Sequence, residues 1–182
     1  MIKEPFKNKG FAVWLSKLES DVLIECAPHN GAKIAIMLGL CGLRVHEICK
    51  IQNEDKFRDP TIGLMAKVIG KGGKYRNFPL DSRLEFADFS LTNVETRTIT
   101  NWFRFSREEA AKRTGDSGYL DCTMHDLRRS WCIQALSKQI LPETIKLWGG
   151  WSSSSTVFEN HYVGAGIKSA DLQKVEREKL GY

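Results

Sequence analysis

The stretch Gly42-Leu43-Arg44-Val45-His46-Glu47 sets the terms on which the rest of the chain is read. Val45, Ile48 and Cys49 recur at helical spacing, so a helix is predicted over residues 45–51 with these three on its inner side. Arg44 then stands at a helix start beside a glycine. There its planar guanidinium can meet an oxyanion through paired hydrogen bonds that lysine cannot make. Glu47, three residues on, shares the face and can orient that arginine or a neighbour. Taken alone, the segment reads more simply as a surface ion pair.

Toward the N-terminus, residues 32–40 are apolar enough for a buried helix. Residues 11–23 carry Phe11, Val13, Trp14, Leu15, Leu18 and Val22 at a roughly helical period, with His29-Asn30-Gly31 as the break between the two. Toward the C-terminus the period changes. Residues 63–69 and 75–80 are short and β-like, and Gly70-Lys71-Gly72-Gly73-Lys74 joins them, its Gly-Gly pair supplying the positive φ angles of a tight hairpin turn. Residues 99–112 are helical again, anchored by Trp102, Phe103 and Phe105, and 115–118 form a loop. Thr123 and Asp126 make a capping box for a helix running to about residue 138. Pro142 fits the first turn of a helix that ends near Gly149-Gly150. Four serines then precede a short helical stretch to Tyr162, and residues 167–180 are a last amphipathic helix. With no internal repeat or Pro-rich linker, the expectation is one mainly α domain with a small antiparallel β-hairpin or sheet.

At 182 residues and 42% hydrophobic content the chain supports a single core. No apolar run reaches membrane-spanning length, and Glu4, Lys7 and Lys9 interrupt any secretory signal. A soluble protein of the cytoplasm, nucleoid-associated or within a host cell, is expected. The five cysteines are irregularly spaced, without a Cys-x-x-Cys pair or a histidine at zinc-finger spacing, so neither metal nor cofactor is expected. Cys49 and Cys132 read as small core residues. The net charge of +5 favours a polyanionic partner, most simply nucleic acid. Arg44, Lys50, Lys56, Arg58, Lys67, Lys71, Lys74 and Arg76 crowd one third of the chain, and Lys74, Arg76 and Arg129 are the candidate DNA contacts.

Three further segments can carry chemistry. In His125-Asp126-Leu127-Arg128-Arg129, spacings of three and four put His125, Arg128 and Arg129 on one face near a helix N-terminus, where the helix dipole adds to the attraction for phosphate. Spacing does not choose between the two arginines. Lys71, on the hairpin turn, can approach a leaving oxygen as general acid. Finally, Trp148-Gly149-Gly150-Trp151 and His161-Tyr162 place a tyrosine near the C-terminus, and a tyrosine can form a covalent intermediate with a phosphodiester. Such a step needs arginines already aimed at the nonbridging oxygens.

In this order, Gly-Leu-Arg-x-x-Glu, Gly-Lys-Gly on a hairpin, His-x-Leu-Arg, and Gly-Gly-Trp before a tyrosine resemble the catalytic domain of the tyrosine recombinase (phage integrase) family over nearly the whole chain. The resemblance makes Arg44 and Arg128 the two catalytic arginines, Glu47 their acidic support and His125 the histidine beside Arg128. Lys71 becomes the lysine that protonates the leaving 5′ oxygen, and Tyr162 the nucleophile. Trp151 occupies a position more often held by histidine; it can donate an indole N–H but cannot shuttle a proton. The stretch between Trp151 and Tyr162 is slightly longer than is common in the family. The family's N-terminal DNA-clamping domain is not matched.

The implied activity is site-specific recombination of double-stranded DNA through a 3′-phosphotyrosine, without metal or ATP. The implied assembly is a homo-tetramer on paired sites, with accessory DNA-bending proteins as further partners. The helix at 167–182 would dock on a neighbouring subunit or pack on its own domain. A catalytically silent DNA-binding accessory of the same fold, a type IB topoisomerase-like enzyme and a plain basic nucleic-acid module are the rival readings.

Overall fold

The computed structural model describes residues 2–5, 11–70, 73–155 and 158. Lys71, Tyr162 and the helices expected up to Tyr162 and over 167–180 lie outside the described residues. The elements are β1 (Ile2–Pro5), β2 (Phe11–Trp14), α1 (Lys17–Glu25), α2 (Asn30–Leu40), α3 (Val45–Ile48), β3 (Lys56–Asp59), β4 (Gly63–Ile69), β5 (Tyr75–Pro79), α4 (Thr96–Thr114), α5 (Met124–Ser137) and α6 (Pro142–Gly149). Short 3-10 turns join several of them. Among the described residues the architecture is mainly α with a three-stranded antiparallel sheet, β3-β4-β5, and a separate β1-β2 pair. No described helix is long and apolar enough to cross a membrane.

The segment expected as one helix over 11–23 divides in two. Val13 and Trp14 lie in β2, paired antiparallel with Lys3 and Ile2 of β1, and Leu15 follows them; all three are buried. Their backbone is also taken up by α5: Leu15 N donates to Ser130 Oγ at 2.8 Å, and Val13 N to Asp126 Oδ1 at 3.4 Å. The helix begins only after Ser16, whose hydroxyl accepts from Glu19 N while Glu19 accepts in return from Ser16 N. This capping box satisfies two of the helix's open donors and sets its start.

α2 runs through the centre of the core with Ala32, Ile34, Ala35, Ile36 and Leu38 buried. Gly39 lets it approach α5, since a Cβ there would lie 2.8 Å from Leu127 Cδ1. α3 is shorter than expected, ending at Ile48. α4 is longer, and stops at Gly115, whose φ of +73° closes the helix in the left-handed conformation. The β4–β5 hairpin has the expected strands, with Gly73 at φ +74° and Gly70 N donating to Lys74 O at 2.8 Å across the turn. β3, which pairs with β4 through Lys56–Asp59, was not expected. Its exposed, charged edge lacks the alternating apolar residues that mark a strand.

Candidate active site

Four sequence segments converge through two buried arginines. Arg128, on α5, is 1% exposed. One of its terminal nitrogens donates to Gly42 O, and Nη2 donates to Gly149 O at 2.6 Å. The guanidinium also lies over the Trp151 ring, 3.8 Å from its centroid. It therefore ties α5 to the turn before Arg44 and to the end of α6. Arg76, on β5, makes the second tie. Its Nη1 and Nη2 grip Glu47 Oε1 and Oε2 at 2.7 and 2.9 Å, and its Nε donates to Trp148 O at 2.8 Å.

The glycines of these segments are where the guanidiniums and rings pass. Gly42 has φ +91°, and a Cβ on it would lie 2.7 Å from the Trp131 ring. A Cβ on Gly149 would fall 1.9 Å from the Trp151 ring, and one on Gly150, at φ +69°, 2.8 Å from Arg76 Cδ. Trp151 is flanked by Trp131, with rings nearly parallel at 6.4 Å, and by Phe158 at 5.1 Å. Phe158 is itself fully buried with Cys132, Ala135, Leu136 and Ile145.

Arg44 begins α3 and is the partly exposed member of the group, its side chain 28% accessible. Its backbone N donates to Glu47 Oε2 at 2.7 Å and its Nη1 to Oε1 at 3.1 Å. Glu47 is fully buried between Arg44 and Arg76. Burial pushes its carboxyl up, but the Arg76 guanidinium, followed by the Arg44 backbone and charge, outweighs this and holds it below the usual carboxylate range.

His125, in the first turn of α5, is reached by solvent. Desolvation against the domain, then the charges of Arg128, Arg129 and Arg44, lower its pKa, with Asp126 opposing. The ring is uncharged at neutral pH and keeps one N–H donor and one acceptor nitrogen. Arg44, Glu47, His125, Arg128 and Trp151 thus share one region of the molecule.

Two expected DNA contacts are placed elsewhere than on the surface. Arg76 is 9% exposed and Arg129 is 6% exposed. Arg129 Nη1 pairs with Asp126 at 3.0 Å, so α5 turns this arginine inward. Arg76 had a legible signal: Arg76 and Phe78 share one face of β5, Leu80 continues the alternation just beyond it, and all three are buried. Lys74 is exposed on the hairpin. The aromatic partners Trp131 and Phe158 had no such signal, because only the packing of α5 and α6 brings them to Trp151.

No protein-family model matches the sequence, and no curated protein sequence matches it. Solved structures do match. The XerA recombinase superposes with a TM-score of 0.68 at 19% identity, over 92% of this chain and 65% of its own. The Tn1549 transposon integrase, solved in complex with transposon right end DNA, gives 0.64 at 16% identity over 96% of this chain and 68% of its own. An integrase from mycobacterium phage Brujita gives 0.58 at 21% identity over 91% and 60%. This chain spans about two thirds or less of the length of the XerA and phage proteins. A helical scaffold that superposes on these proteins over more than nine-tenths of its length gives this chain the fold of the XerA recombinase and of the transposon and phage integrases.

Proposed function

We propose that this domain cuts and rejoins double-stranded DNA through a covalent bond to Tyr162, as part of a site-specific recombination or integration reaction. The observation that carries the reading is the gathering of Arg44, His125, Arg128 and Trp151 around one region. Arg44 offers the accessible guanidinium and uncharged His125 a hydrogen-bond donor to a scissile phosphate. Tyr162, its phenolic proton passing to solvent, attacks the phosphorus in line, the bond to the 5′ oxygen breaks as that oxygen takes a proton from Lys71, and a 3′-phosphotyrosine holds the bond energy until a 5′-hydroxyl attacks it in turn. Lys74, exposed on the hairpin, adds a phosphate contact.

A second reading, a catalytically silent DNA-binding accessory of the same fold, is favoured by the full burial of Arg128, whose guanidinium is engaged by Gly42 O and Gly149 O. One experiment separates them. The chain is used to select its binding site from a library of random duplexes, and that site is rebuilt as a nicked suicide substrate. An SDS-stable protein–DNA adduct that Tyr162→Phe does not form is expected. Tight duplex binding with no adduct would establish the accessory instead.

A further inference from the structure

We propose that Arg76 is the positioning residue for Arg44, acting through Glu47. The inference rests on the reading of Arg44 as a phosphate-gripping arginine.

Arg44 touches the Glu47 side chain with one terminal nitrogen, at 3.1 Å. The Arg44 backbone N adds a bond to Oε2 at 2.7 Å, but both bonds come from the same short turn and leave that turn's carboxylate without an anchor on another element. Arg76 supplies that anchor from β5 by gripping both oxygens at once, at 2.7 and 2.9 Å, in the bidentate geometry that fixes a carboxylate's plane as well as its position. Arg76 is itself held at a third point, Nε to Trp148 O at 2.8 Å. Its stem runs against Gly150, and a Cβ on Gly70 would lie 3.4 Å from its Nη1. No larger residue fits at Gly150 without moving it. The chain of constraint thus runs from the end of α6 and the base of the β4–β5 hairpin, through Arg76 and Glu47, to the start of α3.

Energetics favour a positioning role over a purely stabilising one. A buried ion pair adds little net stability compared with apolar residues of the same volume, because desolvation offsets most of the attraction. What such a pair supplies is a fixed geometry. Arg44 is the member of the set with an exposed face, so fixing Glu47 fixes the arginine that can reach a ligand. The charged groups set against Glu47 are Arg44 from its own turn and Arg76 from β5. Removing Arg76 therefore leaves Glu47 buried with one guanidinium in place of two, and easier to protonate.

The test uses the full chain and the nicked duplex selected with it. Misplacing a catalytic group by about 1 Å costs on the order of a hundredfold in rate, so Arg76→Gln is expected to slow adduct formation by about 30–100-fold while duplex affinity changes by less than about threefold. The acid limb of the pH–rate profile should move to higher pH, a displacement that mere loss of stability would not produce. In an Arg44→Lys background, Arg76→Gln should change the rate by less than about threefold, because its effect runs through Arg44. An Arg76→Gln rate close to wild type, an unmoved acid limb, or losses that multiply in the double variant would each overturn the proposal.

Nuclear magnetic resonance supplies a readout without turnover. Arg76→Gln should raise the pH at which the Glu47 carboxyl carbon titrates and should shift the Arg44 Nε–H resonance; if both stay where they are in the wild type, the proposal fails. Should the wild type form no adduct while these shifts appear, the recombinase reading fails and the coupling stands. If Arg76→Gln does not fold, Arg76→Lys, which keeps the charge and loses the fork, is carried through the same measurements, with the same outcomes supporting or overturning the coupling.

Discussion

Glu47 accepts four hydrogen bonds on two oxygens, from the Arg44 backbone, the Arg44 side chain and both terminal nitrogens of Arg76. Glu47→Ala should therefore cost about 3–5 kcal/mol, since Arg76 would keep its charge below the surface with no carboxylate opposite. Urea unfolding followed by tryptophan fluorescence measures this, and a loss under about 1 kcal/mol would contradict the geometry. Gly42→Ala meets two penalties, a positive φ of 91° and the Trp131 ring. Together they should destabilise by about 2–4 kcal/mol in the same assay. Arg128 changes what a substitution means. Because its guanidinium holds Gly42 O and Gly149 O below the surface, Arg128→Ala is expected to unfold the domain at lower urea as well as to stop cleavage. Arg44→Ala, at a partly exposed position, should leave the urea midpoint nearly in place and raise the cleavage barrier by about 3–4 kcal/mol. A matched fall in stability for the two variants would remove this distinction.

At the scale of elements, α5 is the organising helix, and Asp126 is its pivot. One carboxylate takes Thr123 N at 2.9 Å, Thr123 Oγ1 at 2.6 Å, Arg129 Nη1 at 3.0 Å and Val13 N at 3.4 Å. It caps the helix, pairs the second arginine and ties down β2. Asp126→Ala should cost about 2–3 kcal/mol, more than a lost cap alone, and should speed amide exchange at Val13 and Leu15. Exchange confined to the first turn of α5 would show that β2 is held by other means. The start of α5 was readable from Thr123 and Asp126 in the sequence, as was the hairpin from its glycines. The division of residues 11–23 was not, because what makes Val13–Leu15 extended is β1 together with Ser130 and Asp126 across the fold.

For the whole molecule, the charge network sets the response to acid. Glu47 and the surface carboxylates Asp21, held by Lys17 and then Arg83, and Asp81, held by Arg83, all titrate below their ordinary values in the fold. The unfolded chain takes up these protons first, so the stability they contribute is fully present above the ordinary carboxylate range and is lost as pH falls through and below about 4. His125 acts in the same direction nearer neutrality. Its lowered pKa keeps it neutral in the fold, so stability declines as pH falls below about 6.5, the ordinary histidine value. The thermal midpoint should then descend in two steps. His125→Gln should remove the shallow upper step, and Glu47→Gln should flatten the steep lower one. A single acid step untouched by Glu47→Gln would refute the role given to this pair.

By itself the sequence determined whatever depends on neighbours along the chain. The caps at Thr123 and Pro142, the hairpin at Gly73 and the mainly α composition with a small sheet are all local, and all are found in the described residues. Tertiary structure decided which cations face inward. Arg76 and Arg129 carry the same charge as Lys74, yet a carboxylate opposite each arginine draws it into the interior, while Lys74 stays in water. Charge is a property of the residue; its burial depends on the partner the fold sets against it, and for Arg76 that partner stands on another element, far along the chain.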